Sequence, residues 1–149
     1  MNKSNYIRKL FVLERKDYIQ IGEAVILLLI SNFLIYLVPF RWWNHWIGTK
    51  NDKAPDEPLS EENVAKVHRI RRNVKRANKL LINWSKCFAI SLTIKKMCER
   101  SSLPGILYLG VKKSEAKNLV AHAWVKCNNK VVYGGKEAGA NFKEVVTFA

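Results

Sequence analysis

Cysteine is scarce in this chain: three residues in 149, Cys87, Cys98 and Cys127, none of them in CxxC spacing. That excludes a disulfide framework and leaves no cysteine pair for a zinc site. Acids are also few, 12 Asp and Glu against 26 Lys and Arg, for a formal charge of +14. Such an excess favours an acidic partner, whether nucleic acid, anionic lipid or an acidic peptide or protein surface. Zinc-finger spacing, an aromatic-glycine RNA signature and a glycine-rich phosphate loop are all missing, so nucleic acid is disfavoured. A small-residue cleavage site is missing too, which argues against a cleavable signal peptide. What the chain does have is a hydrophobic fraction of 48%, enough for one core but not for two at this length.

Two regions follow from the composition. Residues 1–58 form a hydrophobic and basic N-terminal helical region, and residues 59–149 an α+β core. Tyr6 to Ile19 mixes apolar and basic residues at spacing that suggests a short amphipathic helix, interrupted near Glu14–Asp17. Ala24 to Phe40 is apolar except for Ser31 and Asn32, and Pro39 closes it. Its length of about 17 residues is the lower edge for crossing a bilayer. The flanking charges would also put Cys87 on the outside, where a free catalytic thiol is less at home. A buried or partner-facing helix is therefore favoured over a span. The location is read as cytoplasmic, with membrane contact through residues 21–40 left open. Trp42, Trp43 and Trp46 beside Arg41 and His45 fit an interfacial belt or a packed helix end.

Ser60-Glu61-Glu62 reads as a helix start, a capping hydroxyl followed by acids in the first turn. Val64, Val67, Val74, Leu81 and Trp84 fall near one face of that helix. Arg69, Arg71, Arg72, Lys75, Arg76 and Lys79 fall near the other, as a solvated face or an electrostatic platform.

Cys87 to Cys98 is apolar around most of a helix, which places that helix centrally in its domain. Cys87 stands in its first turn, where free N–H groups and the helix dipole favour an anion. Gly105–Val111 and Leu119–Cys127 read as strands, and Asn128-Asn129 as a tight turn into Lys130–Tyr133. His122 lies on the second of these strands. A thiol at a helix start and an imidazole on a following strand are the parts of a cysteine nucleophile with its general base. Cys98 and Cys127 read as core residues, and Trp124 as either a wall of the substrate cleft or a core aromatic.

The run Cys87-Phe88-Ala89-Ile90-Ser91-Leu92, then Leu109-Gly110-Val111, then His122-Ala123-Trp124-Val125, resembles the leader peptidase of lasso peptide biosynthesis. That enzyme is the C-terminal half of the B protein, a separate chain in many clusters. Pro39-Phe40-Arg41 and Val132-Tyr133-Gly134-Gly135 look like the same family. The resemblance implies a transglutaminase-like or papain-like cysteine peptidase that removes the leader from a ribosomally made precursor peptide. It implies Cys87 as nucleophile and His122 as base, with no metal or nucleotide required. It further implies as partners the precursor, a separate leader-recognition protein, and an ATP-dependent macrolactam synthetase. Family members often carry an Asp on the strand after the His. Here a two-residue turn at Asn128-Asn129 sets His122 opposite about Gly135, and no carboxylate stands there. Glu137 is the weak candidate for orienting the imidazole; a backbone carbonyl or a water is the alternative. Two rival functions remain: an acyl transferase or amidase on the same scaffold, and a non-catalytic, membrane-associated basic adaptor.

Overall fold

A computed structural model describes residues 13–50, 57–113, 118–135 and 141–149. Among the described residues four helices, α1 (Arg15–Leu37), α2 (Phe40–Ile47), α3 (Glu61–Leu80) and α4 (Cys87–Arg100), precede the sheet. Its strands are β1 (Gly105–Lys113), β2 (Leu119–Cys127), β3 (Lys130–Tyr133) and β4 (Lys143–Phe148). The sheet is antiparallel in the order β3-β2-β1-β4, so the fold is α+β.

Each helix has a local cause and a tertiary one. Ser60 caps α3 by accepting a bond from the Asn63 N–H. Val67, Ile70, Val74 and Ala77, spaced three and four apart, are at most 2% exposed. Trp84, expected on that face, lies beyond the helix end and is 54% exposed, because the chain turns away at Ile82 and Asn83, both with positive φ. Helix α1 starts at Arg15 and runs unbroken to Leu37, so the interruption expected near Glu14–Asp17 is a helix start. The amphipathic pattern before it lies largely outside the described residues.

Ser31 and Asn32, the two polar residues of the apolar run, both face inward. Ser31 Oγ lies 3.4 Å from Thr93 Oγ1, and Asn32 Nδ2 donates to Ser85 Oγ at 2.7 Å. Asp17 is buried and accepts from Asn73 Nδ2 at 2.8 Å. Three polar ties thus fix α1 against α3, α4 and the segment ahead of Cys87. Its opposite side is bare: Ile26, Leu29, Ile30, Phe33 and Leu37 are exposed. Among the described residues α1 is the one helix long and apolar enough to cross a membrane.

The sheet has two unlike faces. Leu107, Leu109, Ala123, Val125, Cys127 and Phe148 pack into the core shared with the helices, including α1 and α2. Ile106, Tyr108 and Trp124 form a second, smaller cluster on the other face, with Phe142 against it. Strand β4 was not legible in the sequence; it pairs with β1 and completes the sheet.

Candidate active site

Cys87 is the first residue of α4, and the segment leading into it is tightly held. Ser85 N–H donates to Asn78 Oδ1 at 3.1 Å, and Asn83 N–H to the Asn78 carbonyl at 2.8 Å. Ser85 Oγ also accepts from Asn32. Asn32 and Asn78 are the positioning residues that sequence reasoning missed. A polar residue inside an apolar run was the available signal for Asn32.

The helix then docks on β2, where Ser91 Oγ donates to the Ala123 carbonyl at 3.1 Å. Of the three thiols only Cys87 is partly exposed; Cys98 and Cys127 are buried with Sγ atoms 3.9 Å apart. The bond from Cys127 and burial push the Cys98 thiol up, as befits an inert core group.

A cleft of about 310 Å³ opens at the start of α4, and both Cys87 and His122 line it. Phe88, Leu109, Val111, Val145 and Val146 are among the other residues that line it, so the site is strongly apolar. Among the described residues no hydrogen bond joins Cys87 to His122. The alternation of β2 explains this. Ala123 and Val125 face α4, while His122 shares the other face with Trp124 and Phe142, at ring separations of 6.4 and 5.0 Å. The structure therefore brings the two residues to one cleft without putting thiol and imidazole in contact.

The imidazole is itself well fixed. Its Nε2 lies 2.9 Å from the Gly134 carbonyl. A carbonyl only accepts, so Nε2 carries a proton, and in the neutral imidazole this leaves the lone pair on Nδ1, the tautomer a general base needs. The register explains how this carbonyl arrives. Cys127 pairs with Lys130 across the Asn128-Asn129 turn as expected. A bulge between Val125 and Lys126 then shifts β3, so that Val125 pairs with Tyr133. With that shift Gly135 no longer stands opposite His122; Gly134 lies against Trp124, and from there its carbonyl meets the imidazole of His122, the neighbour of Trp124 on the same face. Glu137, the sequence candidate for this task, lies outside the described residues.

Trp124 is fully buried and stacks on Tyr108 at 5.7 Å. It fills the space over Gly110, where an added Cβ would come within 2.7 Å of its ring. Its role is the core aromatic rather than the cleft wall. Tyr133, unremarked as a site residue in the sequence, packs against the main core and feels the charge of Cys87. Burial first, and then the nearby Cys87 sulfur, raise its phenol, while Arg71 on α3 opposes the shift. Among the described residues no cluster of His, Cys, Asp and Glu could hold a metal ion.

A family model described as the transglutaminase-like superfamily matches residues 34–147, most of the chain and all of the cleft-lining elements. No curated protein and no solved structure matches the chain.

Proposed function

The chain belongs to the transglutaminase-like superfamily, and from that premise we propose a cysteine peptidase that removes the leader from a ribosomally made precursor peptide in lasso peptide maturation. Membership fits a cysteine-dependent peptidase or acyl-transfer activity. The observation that carries the reading is the half-buried Cys87 at a helix start, in an apolar cleft that a histidine-bearing strand helps to line.

His122 takes the Cys87 thiol proton as the sulfur attacks the scissile carbonyl carbon, so that a C–S bond forms while the carbonyl oxygen takes the negative charge. First-turn N–H groups of α4, which have no intrahelical acceptor, are placed to receive that charge. The C–N bond breaks as His122 passes a proton to the leaving amine. His122 then takes a proton from water, which attacks the thioester and frees the thiol. Catalytic hydrogen bonds often align only when substrate is bound, and this mechanism requires peptide binding to bring imidazole and thiol together.

The test is mass spectrometry of the precursor incubated with the protein and the leader-recognition protein. One leader fragment at a single site is expected; an intact precursor would sink the peptidase assignment. Products that incorporate an added amine at the same carbonyl would instead identify the acyl transferase.

In this proposal the bare side of α1 receives the leader-recognition protein, and the macrolactam synthetase acts on the trimmed precursor. An open groove of about 700 Å³ runs between Leu29, Phe33 and Leu37 on α1 and Trp84. Ile26→Lys with Phe33→Lys should change stability by no more than about 0.5 kcal/mol, since both side chains are exposed. Partner-dependent cleavage should fall by about tenfold or more, as expected for lost apolar anchors. Full cleavage combined with loss of vesicle binding would show that lipid, not a partner, covers this face.

A further inference from the structure

One face of α3 carries His68, Arg71, Arg72, Lys75, Arg76 and Lys79, which line a single open groove of about 570 Å³. Their spacing of three and four residues makes a continuous stripe about 16 Å long. The neighbouring flank differs: there Lys66 and Arg69 are ion-paired with Glu62 and Glu14. Among the described residues no carboxylate forms an ion pair with Arg71, Arg72, Lys75 or Arg76. Arg76 is instead held in place by Asn73 Oδ1 at 2.9 Å. Partial loss of hydration, and then the charges of Arg71 and Lys79, push the Lys75 ammonium down.

The position of this stripe gives it meaning. Its C-terminal end is tied to the nucleophile segment, because the Asn78 side chain accepts the Ser85 N–H at 3.1 Å. Ser85 precedes Cys87 by two residues, a reach of at most ~7 Å. Helix α3 also touches β3, the strand that pairs with His122's own strand β2. The C-terminal end of the basic groove, at Lys79, therefore lies next to the residue that anchors the nucleophile segment.

We propose that this groove binds an acidic stretch of the peptide substrate, about five extended residues long and starting within about five residues of the scissile bond. This deepens the peptidase reading and rests on it. Arg71, Arg72, Lys75 and Arg76, which no carboxylate of the described residues pairs, gain from a polyanionic segment, and the apolar cleft at Cys87 takes the residues at the bond itself. The groove then selects both the substrate class and the bond that is cut. A peptide held electrostatically on α3 reaches Cys87 already in register.

The test uses full-length Cys87→Ala protein, so binding is read without chemistry. Fluorescence anisotropy compares a labelled peptide carrying five consecutive Glu with its Gln counterpart and its Lys counterpart. Arg72→Glu with Lys75→Glu, both exposed positions, is run in parallel after circular dichroism and melting confirm the fold. The Glu peptide should bind at least about tenfold tighter than the Gln peptide, and weaken on raising salt to about 0.2 M. The charge-reversed variant should lose that preference and gain affinity for the Lys peptide. Equal binding of the Glu and Gln peptides would overturn the proposal. So would a single-stranded oligonucleotide or an anionic vesicle that bound about tenfold tighter than the Glu peptide. Because the thiol is absent throughout, failure here is separable from failure of the peptidase reading, which the precursor cleavage assay decides.

Discussion

Cys87→Ala should reduce precursor cleavage by roughly 10⁴-fold or more in kcat/KM, and His122→Ala should approach the same loss. The double variant should be no worse than the single ones, because a nucleophile and its base act as one unit. Neither substitution should unfold the protein. Cys87 is only half-buried, and His122 packs at the rim of the outer cluster, so the melting temperature reports separately from activity. The geometry adds a second readout. With no hydrogen bond between the two groups, His122→Ala should leave the rate of Cys87 alkylation by iodoacetamide unchanged within about twofold when no peptide is added. Addition of the precursor should raise that rate in wild type alone. A tenfold drop without peptide would show that the thiol and imidazole are already paired. Cleavage surviving in all three variants would leave Cys87 and His122 as packing residues and favour the basic adaptor.

Gly134→Ala is expected to damage stability and chemistry together. The φ of Gly134 is +109°, a backbone region that side chains rarely adopt. A Cβ there would sit 2.2 Å from Trp124 Cβ and 2.9 Å from its Cα, neither of which is the far end of a flexible chain. Strain and overlap each cost about 1–3 kcal/mol, so the sum takes a large share of the 5–15 kcal/mol that hold a typical domain together. The effect on chemistry comes through His122. When the Gly134 carbonyl moves, Nε2 loses its acceptor and the imidazole is no longer held in the tautomer that leaves Nδ1 free. Activity per folded molecule should fall by about tenfold or more. Gly135→Ala is the control: its φ is +90°, but nothing lies within 4 Å of the added Cβ. It should carry the strain without the overlap and leave His122 seated. Equal damage from both variants would mean that backbone strain, not the contact with Trp124, governs this corner.

The groove on α3 and the bare side of α1 divide recognition between two kinds of chemistry. Charge on α3 acts at longer range and weakens with salt, so it steers and registers a peptide. The apolar side of α1 acts only on contact, and suits a folded partner. Both elements are tied into one core through Asp17, Asn73 and Asn32. A partner bound on α1 is thereby fixed relative to Cys87.

The sequence by itself determined the elements whose signals are local. The apolar girth of Cys87–Cys98, the two strand runs and the tight turn at Asn128-Asn129 all depend on neighbours a few residues apart. So do the cap at Ser60 and the motifs that resemble a peptidase family. The sharing of one cleft by Cys87 and His122, and the contacts around each, depended on tertiary structure. The bulge between Val125 and Lys126 shifts β3 by one residue, and no local pattern announces it, yet it brings Gly134 against Trp124, with its carbonyl facing His122. Strand β4 forms because β1 offers an unpaired edge, not because Lys143–Phe148 alternates clearly. Ser31 and Asn32 read as flaws in an apolar helix until Thr93 and Ser85 are brought against them. Periodicity fixes what each element is. Long-range pairing fixes which atoms meet, and chemistry at this site depends on that.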